Sequence, residues 1–198
     1  MLKNKIFIYD LDNTLINCNS FIYFILYIAK HNKLLFSIKI TILLIIYIFH
    51  ILLKKKFMTF TKSLFIKILF IGFKKKEILL VCQKLVQEVL LNSLNKKLYS
   101  NIKKIKNKNK LFLITASPNI YVEIFAKELK INNVFSTNIS LKNKTFGNII
   151  GKNCYADEKK KIILKNIKNF KKLRSYFYTD CISDAPLMNI CSKSFLIK

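Results

Sequence analysis

The sequence predicts an α/β fold, a Rossmann-like doubly wound parallel sheet with an inserted helical cap. Three observations predict it. Short apolar runs of strand-formers end in polar residues at intervals along the chain. Helical stretches separate several of these runs. A long, proline-free helical interval after the first run breaks the alternation.

The first run is Lys5–Tyr9, which delivers Asp10 and Asp12 to the carboxyl edge of a sheet, where open α/β sheets bind ligands. The interval from about Cys18 to Leu98 is helical in pattern and reads as the cap, residues 18–98. The sheet domain is then 1–17 with 99–198. Leu111–Ile114 is the second strand, before Thr115, and a helix over Ile120–Leu129 follows. Val134–Ser136 is a third strand. Gly147 and Gly151 bracket a short Asn-Ile-Ile run, which predicts a hairpin on an otherwise parallel sheet. A helix over Glu158–Phe170 leads to a strand at Ser175–Tyr178 before Asp180, and Ser194–Ile197 closes the sheet.

Within the cap, residues 34–53 carry Lys39 as their single charge, and lysines flank the run. Its length and apolarity approach those of a membrane span. A single crossing would separate Asp10 from the residues after Leu111. A second crossing through Phe57–Phe73 would bury Lys62 and Lys67, at about 2.5–3.5 kcal/mol each, and export Lys54–Lys56. Two readings survive, a buried helical subdomain and an element lying on an anionic membrane surface. The apolarity favours the second.

Composition narrows the function. Lysine and arginine number 36 against 10 acids, a net charge of +26. That balance suits an anionic partner, although scattered lysines are more often solvated surface. No helix-turn-helix, zinc or aromatic RNA-binding pattern is present, so no nucleic-acid partner is expected. The five cysteines are odd in number and form no CxxC, which argues for a reducing compartment. Two histidines leave little room for a histidine triad, so acid–base work falls to carboxylates and lysine. No cleavable signal peptide is expected, because Asp10 comes too early. The expected location is cytoplasmic, peripheral on the inner face of the membrane.

Four short elements carry the chemistry. Asp10-x-Asp12 places two mutually repelling carboxylates at one strand end, an arrangement that calls for a cation such as Mg²⁺. Taken alone, such pairs are often solvated, and glycosyltransferases also use them. LFLITASP, residues 111–118, ends in Thr115 and Ser117, whose hydroxyls suit phosphate oxygens; by itself it reads as a helix cap. CYADEKKKIIL, from Cys154, offers a lysine as a point charge. YFYTDCISDAPLM, from Tyr176, adds Asp180 and Asp184, which would complete a metal site begun at Asp10.

Taken in order, the four elements resemble the signature motifs of the haloacid dehalogenase-like (HAD) superfamily of phosphohydrolases. The similarity is to the branch with a helical cap between the first and second motifs. It spans Asp10 to Asp184, nearly the whole chain. The resemblance implies that Asp10 is the nucleophile forming an aspartyl-phosphate. Asp12 is the acid, then the base, with its backbone carbonyl on Mg²⁺. Thr115, with Ser117, binds the phosphoryl group, and Lys159 or its neighbour Lys160 steadies it. Asp180 and Asp184 complete the metal site.

Phosphoserine phosphatases of this branch carry a cap glutamate where this chain has Asn17-Cys18-Asn19-Ser20. Phosphatidylglycerophosphate phosphatases are similar in their apolar cap and their later motifs. The expected substrate is therefore a phosphorylated small molecule or a membrane lipid phosphate. The alternatives are a soluble-metabolite phosphatase, a non-enzymatic basic membrane- or nucleic-acid-binding protein and, third, a DxD glycosyltransferase, in which Asp180 and Asp184 would have no role.

Overall fold

In the computed structural model, residues 5–31, 58–105 and 110–197 are described. The apolar run 34–53 and Lys54–Lys56 lie outside them. Five strands form one sheet: β1 Lys5–Tyr9, β2 Leu111–Pro118, β3 Asn133–Thr137, β4 Arg174–Thr179 and β5 Lys193–Leu196. Their order is β3-β2-β1-β4-β5, and every pairing is parallel. The order reverses at β1, between β2 and β4, which opens a crevice at their carboxyl ends.

Side chains alternate across the pleat, so β1 feeds two cores. Ile6 and Ile8 pack with Phe112, Ile114, Phe177 and Ile163 on one face. Tyr9 packs with Leu111 and Leu113 on the other, among the inserted helices. An aromatic ladder crosses that face, with Tyr9 and Tyr178 stacked at 4.8 Å and Tyr178 and Phe195 at 4.7 Å.

The inserted residues form α1 (Ser20–His31), α2 (Met58–Phe70) and α3 (Lys75–Leu85). The chain winds on through Val86–Leu90, and α4 (Lys96–Lys104) leads back to β2. Phe24 of α1 lies 5.2 Å from the Tyr121 ring and meets Phe70 edge-on at 6.1 Å. Ile78, Val81, Cys82 and Leu85 of α3 join the same core as β1 and β2. The chain enters and leaves the insertion at one place. Ile16 and Leu94 form an antiparallel bridge, Asn17 N–H donates to Ser93 O at 2.7 Å, and Asn95 N–H donates to Leu15 O at 2.9 Å. No helix of the described residues is long and apolar enough to cross a membrane.

Helices α5 (Asn119–Glu128), α6 (Asp157–Asn166) and α7 (Ala185–Met188) make the remaining crossovers. Two expectations need correction. The helix expected over Glu158–Phe170 ends at Asn166, because Asn169 takes a left-handed φ of 53° that no helix continues. The hairpin expected around Gly147 and Gly151 is a single antiparallel bridge, Ile139 to Ile149, outside the sheet. Those glycines serve positive-φ turns instead, at 77° and 80°.

Candidate active site

β1 ends by handing Asp10 to the crevice. The Asp10 N–H still donates to Tyr178 O at 2.9 Å, so the carboxylate is fixed beside β4. The chain then makes a wide turn, closed by Ile16 N–H to Leu11 O at 3.1 Å, with Asn13 at a φ of 50°. This turn aims Asp12 at the insertion.

Lys159 reaches up from the first turn of α6. Its Nζ lies 3.0 Å from Asp10 Oδ1 and 2.8 Å from Asp184 Oδ2, and all three residues are buried. The sharp turn at Ala156, φ 49°, sets the start of α6. Of the two lysines named from sequence, Lys159 is the one that bridges the carboxylates. Burial raises the Asp10 carboxyl to about 7; Lys159 opposes this, and Asp184 and Asp12 add to it. The two carboxylates hold the Lys159 ammonium well above the usual lysine range against the opposing effect of burial, which is the largest single influence.

Asp184 Oδ2 also accepts the Thr179 hydroxyl at 2.7 Å. Its other oxygen is buried with no hydrogen-bond partner among the described residues. Thr14 Oγ1 lies 3.5 Å from Asp180 Oδ1. No group of three or more His, Cys, Asp or Glu side chains among the described residues could hold a metal ion by itself.

Both oxygens of Asp12 are engaged. Ser20 N–H, the first amide of α1, donates to Oδ1 at 2.6 Å, and Ser117 Oγ donates to Oδ2 at 2.5 Å. Ser20 Oγ lies 3.0 Å from both Ser117 Oγ and Tyr121 Oη. Each hydroxyl carries one proton. With the Ser117 proton on Asp12, the Ser20 proton points to Ser117 and the Tyr121 proton to Ser20. Tyr121 keeps its proton, since burial pushes the phenol well above its ordinary value. Thr115, also buried, accepts the Ser117 N–H at 3.0 Å.

Sequence reasoning did not nominate Ser20, Tyr121 or Lys62 for the site. Lys62 of α2 donates to Ala116 O at 2.6 Å and to Asn153 Oδ1 at 3.1 Å, with its ammonium 5.3 Å from the Phe21 ring. Burial lowers it to about 8, against the opposing influence of Asp12. Its signal was a lysine within a helical stretch that carries no other charge before Lys67, MTFTKSLF. Ser20 and Tyr121 left no such mark.

The sheet order, the switch point at β1 and a buried lysine between Asp10 and Asp184 match a haloacid dehalogenase-like class of domain. Sequence sets the family within that class. Residues 6–197 match the family described as glycerol-3-phosphate acyltransferase RAM2-like, HAD-like domain, and the chain belongs to it. No curated protein matches the chain. Among solved structures, a protein of unknown function from Bordetella pertussis Tohama I is 15% identical with a TM-score of 0.79, over 98% of this chain and 89% of that one. A phosphoserine phosphohydrolase-like protein from Francisella tularensis subsp. tularensis SCHU S4 is 16% identical with a TM-score of 0.61, over 97% and 86%. A phospho-aspartyl intermediate analogue of phosphoserine phosphatase is 16% identical with a TM-score of 0.63, over 98% and 86%. These likenesses establish the fold.

Proposed function

We propose that this chain hydrolyses a phosphomonoester of the glycerophospholipid type through an aspartyl-phosphate on Asp10. The observation that carries the chemistry is Lys159, buried between Asp10 and Asp184 at 3.0 and 2.8 Å. A buried lysine there steadies the attacking carboxylate and offers positive charge to the transferring phosphoryl group. An Asp10 oxygen bonds to phosphorus as the ester P–O bond breaks, and Asp12 protonates the leaving oxygen. Asp12 then takes a proton from water as that water attacks phosphorus, which frees Asp10 and releases phosphate. Ser20 and Ser117 hold Asp12 in place for both proton transfers. The Thr115 hydroxyl binds a phosphoryl oxygen, and Ser117, whose hydroxyl proton is on Asp12, supports Thr115 through its N–H.

The residues fit a magnesium ion. Two aspartates leave neighbouring parallel strands, and a buried Asp184 oxygen has no partner among the described residues. Mg²⁺ takes few protein ligands and keeps several waters, so a three-carboxylate cluster is not required. Asp10, Asp180 and the Asp12 carbonyl would hold it, with Asp184 supporting. When bound, it supplies the second positive charge facing the phosphoryl group.

Two features support a lipid phosphate. The family is named for proteins that acylate glycerol-3-phosphate. In addition, Ile22, Tyr23 and Leu26 of α1 and Phe60 and Leu64 of α2 are exposed on the insertion. Exposed apolar side chains on α1 and α2, the two helices that reach Asp12 and Ala116 through Ser20 and Lys62, suit a headgroup presented at a membrane.

The test is a panel of phosphatidylglycerophosphate in mixed micelles, phosphoserine and p-nitrophenyl phosphate, each assayed with Mg²⁺, with Ca²⁺ and with chelator. Turnover is expected with Mg²⁺ alone and fastest on the lipid. Asp10→Asn should lose about a thousandfold or more, because an amide is a poor nucleophile. A folded Asp10→Asn protein with near-wild-type turnover would remove this mechanism. Preference for phosphoserine would shift the substrate to a soluble metabolite.

A further inference from the structure

The Ala116–Ser117 peptide links the inserted helices to Thr115 and Asp12. On one side its carbonyl accepts the Lys62 ammonium at 2.6 Å, and the Thr137 hydroxyl lies 2.6 Å from the same oxygen. On the other side its N–H, that of Ser117, donates to Thr115 Oγ1 at 3.0 Å. A trans peptide is planar, with C=O and N–H opposed, so fixing one direction fixes the other. The next side chain, Ser117, donates to Asp12. Lys62 comes from α2, far from this strand in sequence, and it brings a charge of the cap to the strand end. Its second hydrogen bond, to Asn153 at 3.1 Å, ties it to the segment that leads into α6 and Lys159.

We propose that Lys62 is a positioning residue. It pins the Ala116–Ser117 peptide plane, so the alignment of Thr115, Ser117 and Asp12 depends on α2 being seated on the sheet edge. This rests on the roles given above to those three side chains. It adds a physical link by which the insertion acts on the chemistry without touching the phosphoryl group. With α2 lifted, the carbonyl loses its charged donor and keeps only the Thr137 hydroxyl, whose single proton Asn153 Oδ1 also competes for, so the plane is held less firmly. Small misplacements of this kind reduce turnover steeply.

The test compares wild type, Lys62→Met and Lys62→Arg. Methionine keeps most of the stem and removes the charge; arginine restores a cationic donor. In Lys62→Met, kcat is expected to fall about tenfold or more on p-nitrophenyl phosphate and on the lipid alike, with KM within about twofold. Lys62→Arg should recover much of that loss. Amide exchange at Ser117, followed by NMR, should speed up about tenfold or more in Lys62→Met and stay slow in Lys62→Arg.

An unchanged kcat in a folded Lys62→Met protein would overturn the proposal. So would a loss confined to KM for the lipid, which would make Lys62 a substrate contact instead. Should Lys62→Met not fold, Lys62→Gln takes its place, with a shorter neutral donor and the same expectations. A wild type inactive on every phosphomonoester would sink the phosphatase reading. The Ser117 exchange would then still decide whether Lys62 pins the peptide.

Discussion

Asp10 leaves the sheet beside β4 with Lys159 against it and two further aspartates nearby. Its carboxyl lies at about 7 rather than 3.8, chiefly through burial. The folded chain therefore holds this proton more tightly than the unfolded chain. Metal-free stability from this group is full below about pH 4 and is lost as pH rises towards 7. Thermal melts in chelator should show Tm falling over that interval, with a slope of at most about 1.4 kcal/mol per pH unit. Asp10→Asn should flatten the slope and melt above wild type at pH 7.5. Equal slopes for the two proteins would rule the assignment out. At this scale much of the site was legible. Asp10, Asp12 and Asp180 follow strands, Thr115 and Ser117 lie in the second half of β2, Lys159 in the first turn of α6 and Asp184 just before α7, places where an apolar run gives way to polar residues. What the sequence hid were partners brought in by tertiary packing. Ser20, Tyr121 and Lys62 lie on helices whose local pattern says nothing of the strand they will face.

Elements were legible where a pattern and a boundary coincide. β1, β2 and β4 are apolar runs closed by Asp10, by the Thr115–Pro118 segment and by Asp180. α6 was read too long because apolar residues at Ile167 and Phe170 continue its periodicity, although the backbone turns at Asn169. The loop carrying Gly147 was read as a hairpin because glycine marks several kinds of turn. In the structure Gly147 has a φ of 77°, and a Cβ built there would lie 3.0 Å from the Lys67 Cα of α2. Gly147→Ala should therefore cost about 1–3 kcal/mol, through both strained backbone and the clash with α2. Urea titration measures it. A cost below about 0.5 kcal/mol would mean that the loop moves freely off α2.

Taken whole, the molecule sets a net charge of +26 against an insertion with exposed apolar side chains. The two together predict sedimentation with anionic vesicles, partly reversed by high salt, which screens the headgroups. Ile22→Asp with Phe60→Asp should weaken that binding about threefold or more and leave turnover of p-nitrophenyl phosphate in place. A wild type that stays in the supernatant at low salt would point to a soluble substrate. The fold class was legible at this scale because strands and helices alternate. The packing of the insertion against the sheet was not, because it depends on which helix faces meet. The bridge between Ile16 and Leu94 has a further consequence for synthesis. β1 is the central strand, yet both its neighbours, β2 and β4, lie beyond the insertion in sequence. On the ribosome the segment KIFIY emerges before the other strands of its sheet and has none of them to pair with until β2 follows. For that time it is an unpaired apolar edge, the kind of segment on which nascent chains aggregate. Early closure of the Ile16–Leu94 neck would bring β2 to β1 as soon as it appears, making the neck a determinant of folding yield as well as of shape.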